Sequence, residues 1–131
     1  MQAQPLAGYK RVKQFLYDFS VHGGAVGSIT LDGLLPDNAL VTSGMIEVIT
    51  AVTSTGDPTV AMQLVSAEDI LAETLKGALL VNTRVDIVPV GTAATMVKTA
   101  TAAGTALVVV IGTAALTAGK LLITLEYFVG A

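Results

Sequence analysis

With 131 residues and no cysteine, the chain has the length of one domain that buries about two thirds of its unfolded surface, and disulfides, zinc–thiolate sites and thiol nucleophiles are excluded. The formal net charge of −3 gives no electrostatic attraction to nucleic acid, so no nucleic-acid partner is expected. Only 13% of the residues are charged, against about 25% in an ordinary soluble protein. Much of the surface must therefore be Thr, Ala, Gly and Ser. Such a surface is typical of a chain that is partly covered by other copies of itself or by a larger partner. A compact, threonine-rich β domain is the alternative.

The amino terminus is interpreted as an arm that precedes a small basic cluster. Residues 1–8, MQAQPLAG, lack the basic start and apolar run of a signal peptide, so synthesis in the cytoplasm is expected. We predict an arm over residues 1–8 and a single β domain over residues 9–131. Three of the seven basic residues lie at the start of the first strand: Lys10, Arg11 and Lys13. This patch is too small for nucleic acid and is expected to guard an edge strand or touch an acidic neighbour.

Two short strands are predicted before residue 40. Residues 15–21 alternate between apolar and polar side chains and predict a half-buried strand with one apolar face: Phe15, Tyr17, Phe19 and Val21. An HGG turn at residues 22–24 leads into a second strand over residues 27–31. The loop DGLLPDN, residues 32–38, follows and contains several residues that break regular structure.

The middle of the chain predicts a hairpin and then a helix. Residues 40–52 are long and apolar, and the turn TSTGDP joins them to a strand over residues 59–65 as a β-hairpin. The SAED segment at residues 66–69 has the form of a capping box, and the apolar residues after it have helix-compatible spacing. Lys76 and Gly77 supply a stop signal, so one short helix of at most about three turns is predicted.

The remainder of the chain predicts strands over residues 84–90, 94–99, 106–111 and 121–129, with Pro89 marking an edge or an end. The last strand is the clearest, because its inward side is apolar throughout: Leu121, Ile123, Leu125, Tyr127 and Val129. Eight or nine short strands with one helical crossover predict an all-β fold, an antiparallel β-sandwich or jelly roll. An up-and-down barrel is the main alternative.

Residues 99–119 raise the alternative of a membrane span, because they carry no charge over 21 positions. The stretch contains three glycines and five threonines, however, and its solid apolar block covers only residues 107–111. Five residues cannot cross a bilayer. The pattern favours a buried strand over residues 106–111, a turn, and a second strand that begins near Lys120, so no membrane partner is expected.

Few residues suggest catalysis or metal binding. His22 is the single histidine, so one chain cannot form a histidine-rich metal site. The sequence has no serine in a nucleophile elbow for which His22 could act as a base, so His22 is expected to be a structural residue of a turn. Glu68, Asp69 and Glu73 lie near the start of the predicted helix, where negative charge favours the helix dipole. The chain has no tryptophan for a sugar-stacking platform, although acid pairs that meet only in the fold stay open. No cofactor, no metal and no enzymatic activity are predicted.

Two segments resemble small virion proteins of tailed bacteriophages: VTSGMIEVITAVTSTGDPTVAMQLVSAEDILAET, residues 41–74, and VDIVPVGTAATMVKTATAAGTALVVVIGTAALTAGKLLITLEYF, residues 85–128. Those proteins are similar in turn to the jelly-roll decoration, or cement, proteins on the outside of the capsid. The resemblance spans most of the chain and rests on strand pattern and a Thr/Ala-rich hydrophobic style, with no diagnostic motif.

The resemblance implies a homotrimer on the capsid exterior that clamps neighbouring major capsid subunits against the pressure of packaged DNA. The arm, together with Lys10, Arg11 and Lys13, is then the candidate contact with an acidic capsid surface. Polarity alone suggests apolar residues that pack between subunits: Leu34, Leu35, Leu79, Leu80 and Val81.

Two other classes of protein remain open from the sequence. A fibre or receptor-binding module of a virion is also an all-β trimer, but it normally has a repetitive shaft or aromatic loop tips. A carbohydrate-binding or hydrolytic β-sandwich needs a cleft with clustered acids or aromatic residues.

Overall fold

The computed structural model describes residues 10–90 and 97–130, and within them the chain forms eight strands, one four-residue helix and one 3₁₀ turn. The strands are β1 Arg11–Asp18, β2 Gly27–Thr30, β3 Ala39–Thr53, β4 Thr59–Gln63, β5 Leu71–Leu75, β6 Arg84–Ile87, β7 Val108–Gly112 and β8 Ala118–Val129. Helix α1 covers Phe19–His22 and the 3₁₀ turn covers Lys76–Ala78.

The strands pair like a long antiparallel ribbon that is folded over on itself. β1 pairs with β8, β2 with β7, β3 with β6 and β4 with β5, all antiparallel. The pairings β3·β8 and β4·β7 then join these pairs into a first sheet, β1-β8-β3-β6, and a second sheet, β2-β7-β4-β5. Two four-stranded antiparallel sheets in this order form a jelly roll. The predicted fold class is confirmed, and the up-and-down barrel is excluded because β1 and β2 lie in different sheets.

The core lies between the two sheets and consists of the inward side chains of both. Its largest fully buried members are Tyr17, Phe15, Leu35, Ile46, Met62, Ile70, Leu79, Leu107, Ile111, Leu121, Ile123 and Leu125. Strand β8 contributes three of these residues because it lies between β1 and β3, and its alternation matches the one that the sequence predicts. Burial of such side chains stabilises the fold by roughly 1.5–3 kcal/mol each.

The helix predicted after residue 66 is wrong. Residues 66–70 form a loop in which the buried Asp69 carboxylate accepts hydrogen bonds from the backbone N–H groups of residues 64–66, at 2.8 to 2.9 Å. Glu68 has a φ of 58°, a left-handed conformation that is incompatible with a position inside a right-handed helix. Leu71 then pairs with Met62, so the apolar residues that follow belong to a strand, β5.

The helix lies instead where the sequence predicts the end of a strand. β1 stops at Asp18, whose side chain accepts a hydrogen bond from the Ser20 N–H and so caps the single turn of α1. The predicted strand over residues 15–21 is therefore correct for its first half, in which Phe15 and Tyr17 are buried. It is wrong for its second half, since Val21 is 73% exposed.

The predicted hairpin of residues 40–65 is also wrong. β3 lies in the first sheet and β4 in the second, so the turn between them crosses from one sheet to the other. Alternation identifies the buried side of each strand, but it carries no information about which strand lies beside it.

Two predicted features fall at least partly outside the described residues. The arm of residues 1–8 lies outside them, as do the first three residues of the strand predicted over residues 94–99. At the end of that strand, Lys98 forms an isolated bridge with Leu40, and the buried Thr99 hydroxyl bonds to the backbone of Pro36 and Ala39. Over residues 10–90 and 97–130, no helix has the length and apolar character that crossing a bilayer requires.

Candidate interaction surfaces

The outward side of the first sheet is rich in charge. Buried neighbours on each strand, such as Ile46 on β3 and Leu121 on β8, fix which residues point outward. We call this surface the charged face, and it consists of Val12, Gln14, Leu16, Asp18, Met45, Glu47, Arg84, Asp86, Lys120, Leu122, Thr124 and Glu126. Half of these twelve side chains are ionic, and among the others Val12, Leu16 and Met45 are large apolar residues that are at least 40% exposed.

Ion pairs cross the charged face. Arg84 Nε lies 3.4 Å from Asp86 Oδ1, and Lys120 Nζ lies 3.8 Å from Asp18 Oδ2. Glu126 accepts hydrogen bonds from the Ser43 hydroxyl at 2.7 Å and from Lys10 Nζ at 3.0 Å, and these two donors lower the pKa of its carboxyl group. Hydrogen bonds from Ser20 similarly lower the pKa of Asp18.

Three strands of the second sheet, β2, β7 and β4, carry no charged residue on their outward side. Val60 and Met62 on β4 and Val109 and Ile111 on β7 are buried, so the alternate residues of these strands point outward. The register places Val110 between Ser28 of β2 and Ala61 of β4. We call this surface the uncharged face, and it consists of Ser28, Thr30, Thr59, Ala61, Gln63, Val108, Val110 and Gly112. None of these eight residues is ionic, but Ala61 is only 5% exposed, and the exposed Glu73 of β5 lies on the same side of the sheet.

A cleft of about 550 Å³ adjoins the uncharged face at its β5 edge. Its lining residues are Asp57, Pro58, Leu75, Lys76 and Gly77. Leu75 pairs with Thr59 of the uncharged face and is 61% exposed. The Lys76 ammonium group donates hydrogen bonds to the carbonyls of residues 54 and 56, which satisfies part of its hydrogen-bonding capacity within the chain. The cleft therefore borders the uncharged face with one exposed leucine and with two charged residues, Asp57 and Lys76.

The three predicted contact cations do not form one patch. Lys10 lies on the side of the charged face, where it pairs with Glu126. Arg11 and Lys13 lie on the opposite side of edge strand β1, the side that faces the core. The Lys13 side chain lies over Gly33. Charged residues that point inward on an edge strand hinder pairing with another strand, which matches the guarding role expected from the sequence. Their contact with a capsid stays a prediction.

The predicted subunit-interface residues separate into two groups. Leu35 and Leu79 are fully buried in the core of the domain, so their side chains cannot reach another subunit and this part of the prediction is corrected. Leu34, Leu80 and Val81 are each more than half exposed. Their role between subunits stays a prediction.

Within the described part of the chain, no group of three or more His, Asp or Glu side chains has the geometry of a metal site. His22 packs its ring against Tyr17, with centroids 5.8 Å apart, and its Nδ1 lies 3.1 Å from the backbone nitrogen of Asp18. A smaller cleft of about 180 Å³ on the charged face includes two carboxylates, Asp86 and Glu126. The pKa of Glu126 is lowered by Ser43 and Lys10, whereas a general acid in glycoside hydrolysis needs a raised pKa.

No known protein-family profile matches the sequence, and no curated protein matches it either. The fold is similar to chains in three phage capsid structures. A chain of the capsid of Ralstonia phage GP4 aligns with a TM-score of 0.68 at 15% identity, over 100% of this chain and 92% of that one. A chain of the acidic stable capsid structure of Helicobacter pylori bacteriophage KHP30 aligns with a TM-score of 0.60 at 14% identity, over 93% and 89%. A chain of the capsid asymmetric unit of cyanophage Pam1 aligns with a TM-score of 0.53 at 16% identity, over 99% and 93%.

Sequence reasoning did not identify either sheet face. The missing signal was available in part, because alternation on β7 already separates Val110 from its buried neighbours. The neighbour relations were not available, since only the fold places β2, β7 and β4 side by side. The same alternation places Lys10 and Lys13 on opposite sides of the first sheet, although the two residues lie close together in the sequence.

Proposed function

We propose that this chain is a structural protein of a tailed-phage virion that binds the outside of the capsid and stabilises contacts between major capsid subunits. One observation carries the proposal: the jelly roll aligns over nearly its whole length with chains from three phage capsids, and it covers about nine tenths of each of those chains. The low sequence identities establish likeness of fold, so the role on the capsid belongs to the proposal.

The composition and the surfaces support a role that depends on contact rather than catalysis. The charged fraction of 13% leaves large uncharged surfaces for partners to cover. The carboxylates in the small cleft on the charged face are paired with cations, and the environment of Glu126 lowers its pKa. The chain then acts as a non-enzymatic building block, made in the host cytoplasm and located on the capsid exterior.

The proposed assembly is a homotrimer that holds several major capsid subunits at once. Repeated weak contacts through three linked copies give tight binding without any single strong site. Lys10, Arg11 and Lys13 are the candidate groups for an acidic capsid surface, and their attraction to it is weakened by salt.

Cosedimentation with capsids that were assembled without this protein tests the proposal. We expect saturable binding that resists washing, and capsids that withstand heating better when the protein is bound. The substitution Lys13→Glu should weaken binding at low salt, whereas Lys120→Glu makes the same charge change within an existing ion pair on the charged face and serves as its control. No binding of the wild-type chain at any salt concentration would refute a capsid role.

A further inference from the structure

We infer that the Glu68 side chain guards the open edge of β5 against pairing with a strand of another chain. β5 is the last strand of the second sheet, and within the described part of the chain only β4 pairs with it. Unpaired N–H and C=O groups along such an edge can template the addition of a strand, which leads to aggregation. The inference concerns the single chain and does not depend on the proposed function.

The guard consists of one hydrogen bond from the backbone of the edge strand to a side chain. The Glu73 N–H donates to Glu68 Oε1 at 2.8 Å. Backbone N–H groups of a strand point alternately to its two sides, and β4 lies on only one side of β5. Because the Glu73 N–H bonds to an exposed side chain instead of to β4, we place it on the open side. An incoming strand would need this N–H as a donor.

The local backbone explains why this N–H is available to Glu68. The pairing of β4 with β5 shifts register between Val60 and Met62, so two residues of β5 lie opposite one residue of β4. Glu73 is one of these two residues, and such a β-bulge disrupts the ladder of hydrogen bonds locally. Glu68 lies in the loop just before β5, with a φ of 58°, and its carboxylate satisfies the donor that the bulge releases.

The other three edge strands have protection that β5 lacks. The inward side of β1 carries two charged residues, Arg11 and Lys13. β2 and β6 have only four residues each, and short edges offer few groups for pairing. The inward residues Leu71 and Thr74 of β5 are uncharged, and Leu75 at its end is 61% exposed. The β5 edge is therefore the one that depends on a guard from outside the strand.

Amide hydrogen exchange measured by NMR for each residue tests whether the hydrogen bond protects the edge. We expect Glu68→Ala to speed exchange at residue 73 about fivefold to tenfold, which corresponds to the net strength of one hydrogen bond. Glu68→Gln keeps an acceptor oxygen and should change this rate less than about twofold. Glu73→Ala is the matched control, because it removes a charge from the edge but keeps the backbone N–H that bonds to Glu68.

Aggregation followed by thioflavin T fluorescence tests whether the hydrogen bond guards against strand addition. We expect Glu68→Ala to aggregate about fivefold to tenfold faster than the wild type, because the population with an open edge rises by that factor. Glu68→Gln and Glu73→Ala should aggregate like the wild type. Thr99→Ser weakens the fold elsewhere, so it controls for aggregation that results from unfolding alone.

Three results would overturn the inference. Equal exchange at residue 73 in Glu68→Ala and the wild type would show that the hydrogen bond does not protect the edge. Faster exchange without faster aggregation than in Thr99→Ser would show that the edge is not the route to aggregation. Equal aggregation of Glu68→Ala and Glu73→Ala would assign the protection to charge alone. No capsid takes part in these measurements, so each of these results leaves the proposed function unaffected.

Discussion

Substitution of Asp69 is the sharpest test of how this fold is held together, because one buried carboxylate organises the whole β4–β5 connection. Its Oδ1 accepts the Leu64 N–H at 2.8 Å, and its Oδ2 accepts the Val65 and Ser66 N–H groups at 2.9 Å each. The side chain is 4% exposed, so water cannot replace these bonds without opening the loop. Hydrogen bonds to a charged group contribute about 1.5–3 kcal/mol each.

The size of the effect follows from how many bonds each substitution removes. Asp69→Asn keeps one acceptor oxygen and turns an amide donor toward a backbone N–H, so we expect a loss of about 2–3 kcal/mol. Asp69→Ala removes all three acceptor contacts and should cost about 3–5 kcal/mol, a large share of the 5–15 kcal/mol of an ordinary domain.

Urea unfolding at pH 7, followed by far-ultraviolet circular dichroism, measures these losses. Asp86→Asn is the matched control, because that side chain is 72% exposed and its ion pair with Arg84 contributes little, so we expect a change within about 0.5 kcal/mol. If Asp69→Asn also lies within about 0.5 kcal/mol of the wild type, the carboxylate does not hold the loop and our explanation of the missing helix is refuted.

Three further predictions follow from single side chains. Thr99→Val keeps the shape but removes the hydroxyl that bonds to Pro36 O and Ala39 N, so urea unfolding should show a loss of about 2–4 kcal/mol, whereas Thr99→Ser should lose about 1 kcal/mol. Burial, followed by the charge of the neighbouring aspartate, raises the pKa of Tyr17 to about 12. Since the unfolded state ionises near pH 10, stability should fall as the pH rises above 10, and Tyr17→Phe should reduce that fall in unfolding experiments across this range. The pKa of Glu126 is lowered in the folded protein, so the stability that its carboxylate contributes is present above pH 4.5 and is lost as the pH falls through the pKa of the folded state. Glu126→Gln should therefore make the stability less dependent on pH in this acidic range, in the same measurement.

Much of the architecture could be predicted because one face of each main strand is buried. The alternation of Leu121, Ile123 and Leu125 identifies β8 and its inward side, and the core confirms both. The short uncharged run around residues 107–111 was correctly predicted as a strand, and it forms β7 at the centre of the second sheet.

The errors have a common physical cause, which is that local signals fit more than one structure. The Asp69 carboxylate can cap a helix or bind a turn, and burial of Ile70 and Leu71 in the core favours the turn. The turn at residues 53–58 can close a hairpin or lead to another sheet, and nothing in its composition distinguishes these outcomes. Apolar residues in loops can face either the solvent or the core. Here Leu34 faces the solvent and the adjacent Leu35 faces the core.

Immunogold electron microscopy of intact and disrupted virions tests the proposed role on a phage capsid most directly. We predict dense labelling of the head exterior on intact particles by antibodies against this chain, because the proposed clamp between major capsid subunits would be present in many copies on the outer surface. Labelling confined to the tail would contradict the account in favour of a fibre role. Labelling that appears only after the particles are broken would contradict it as well, because the protein would then lie inside the head.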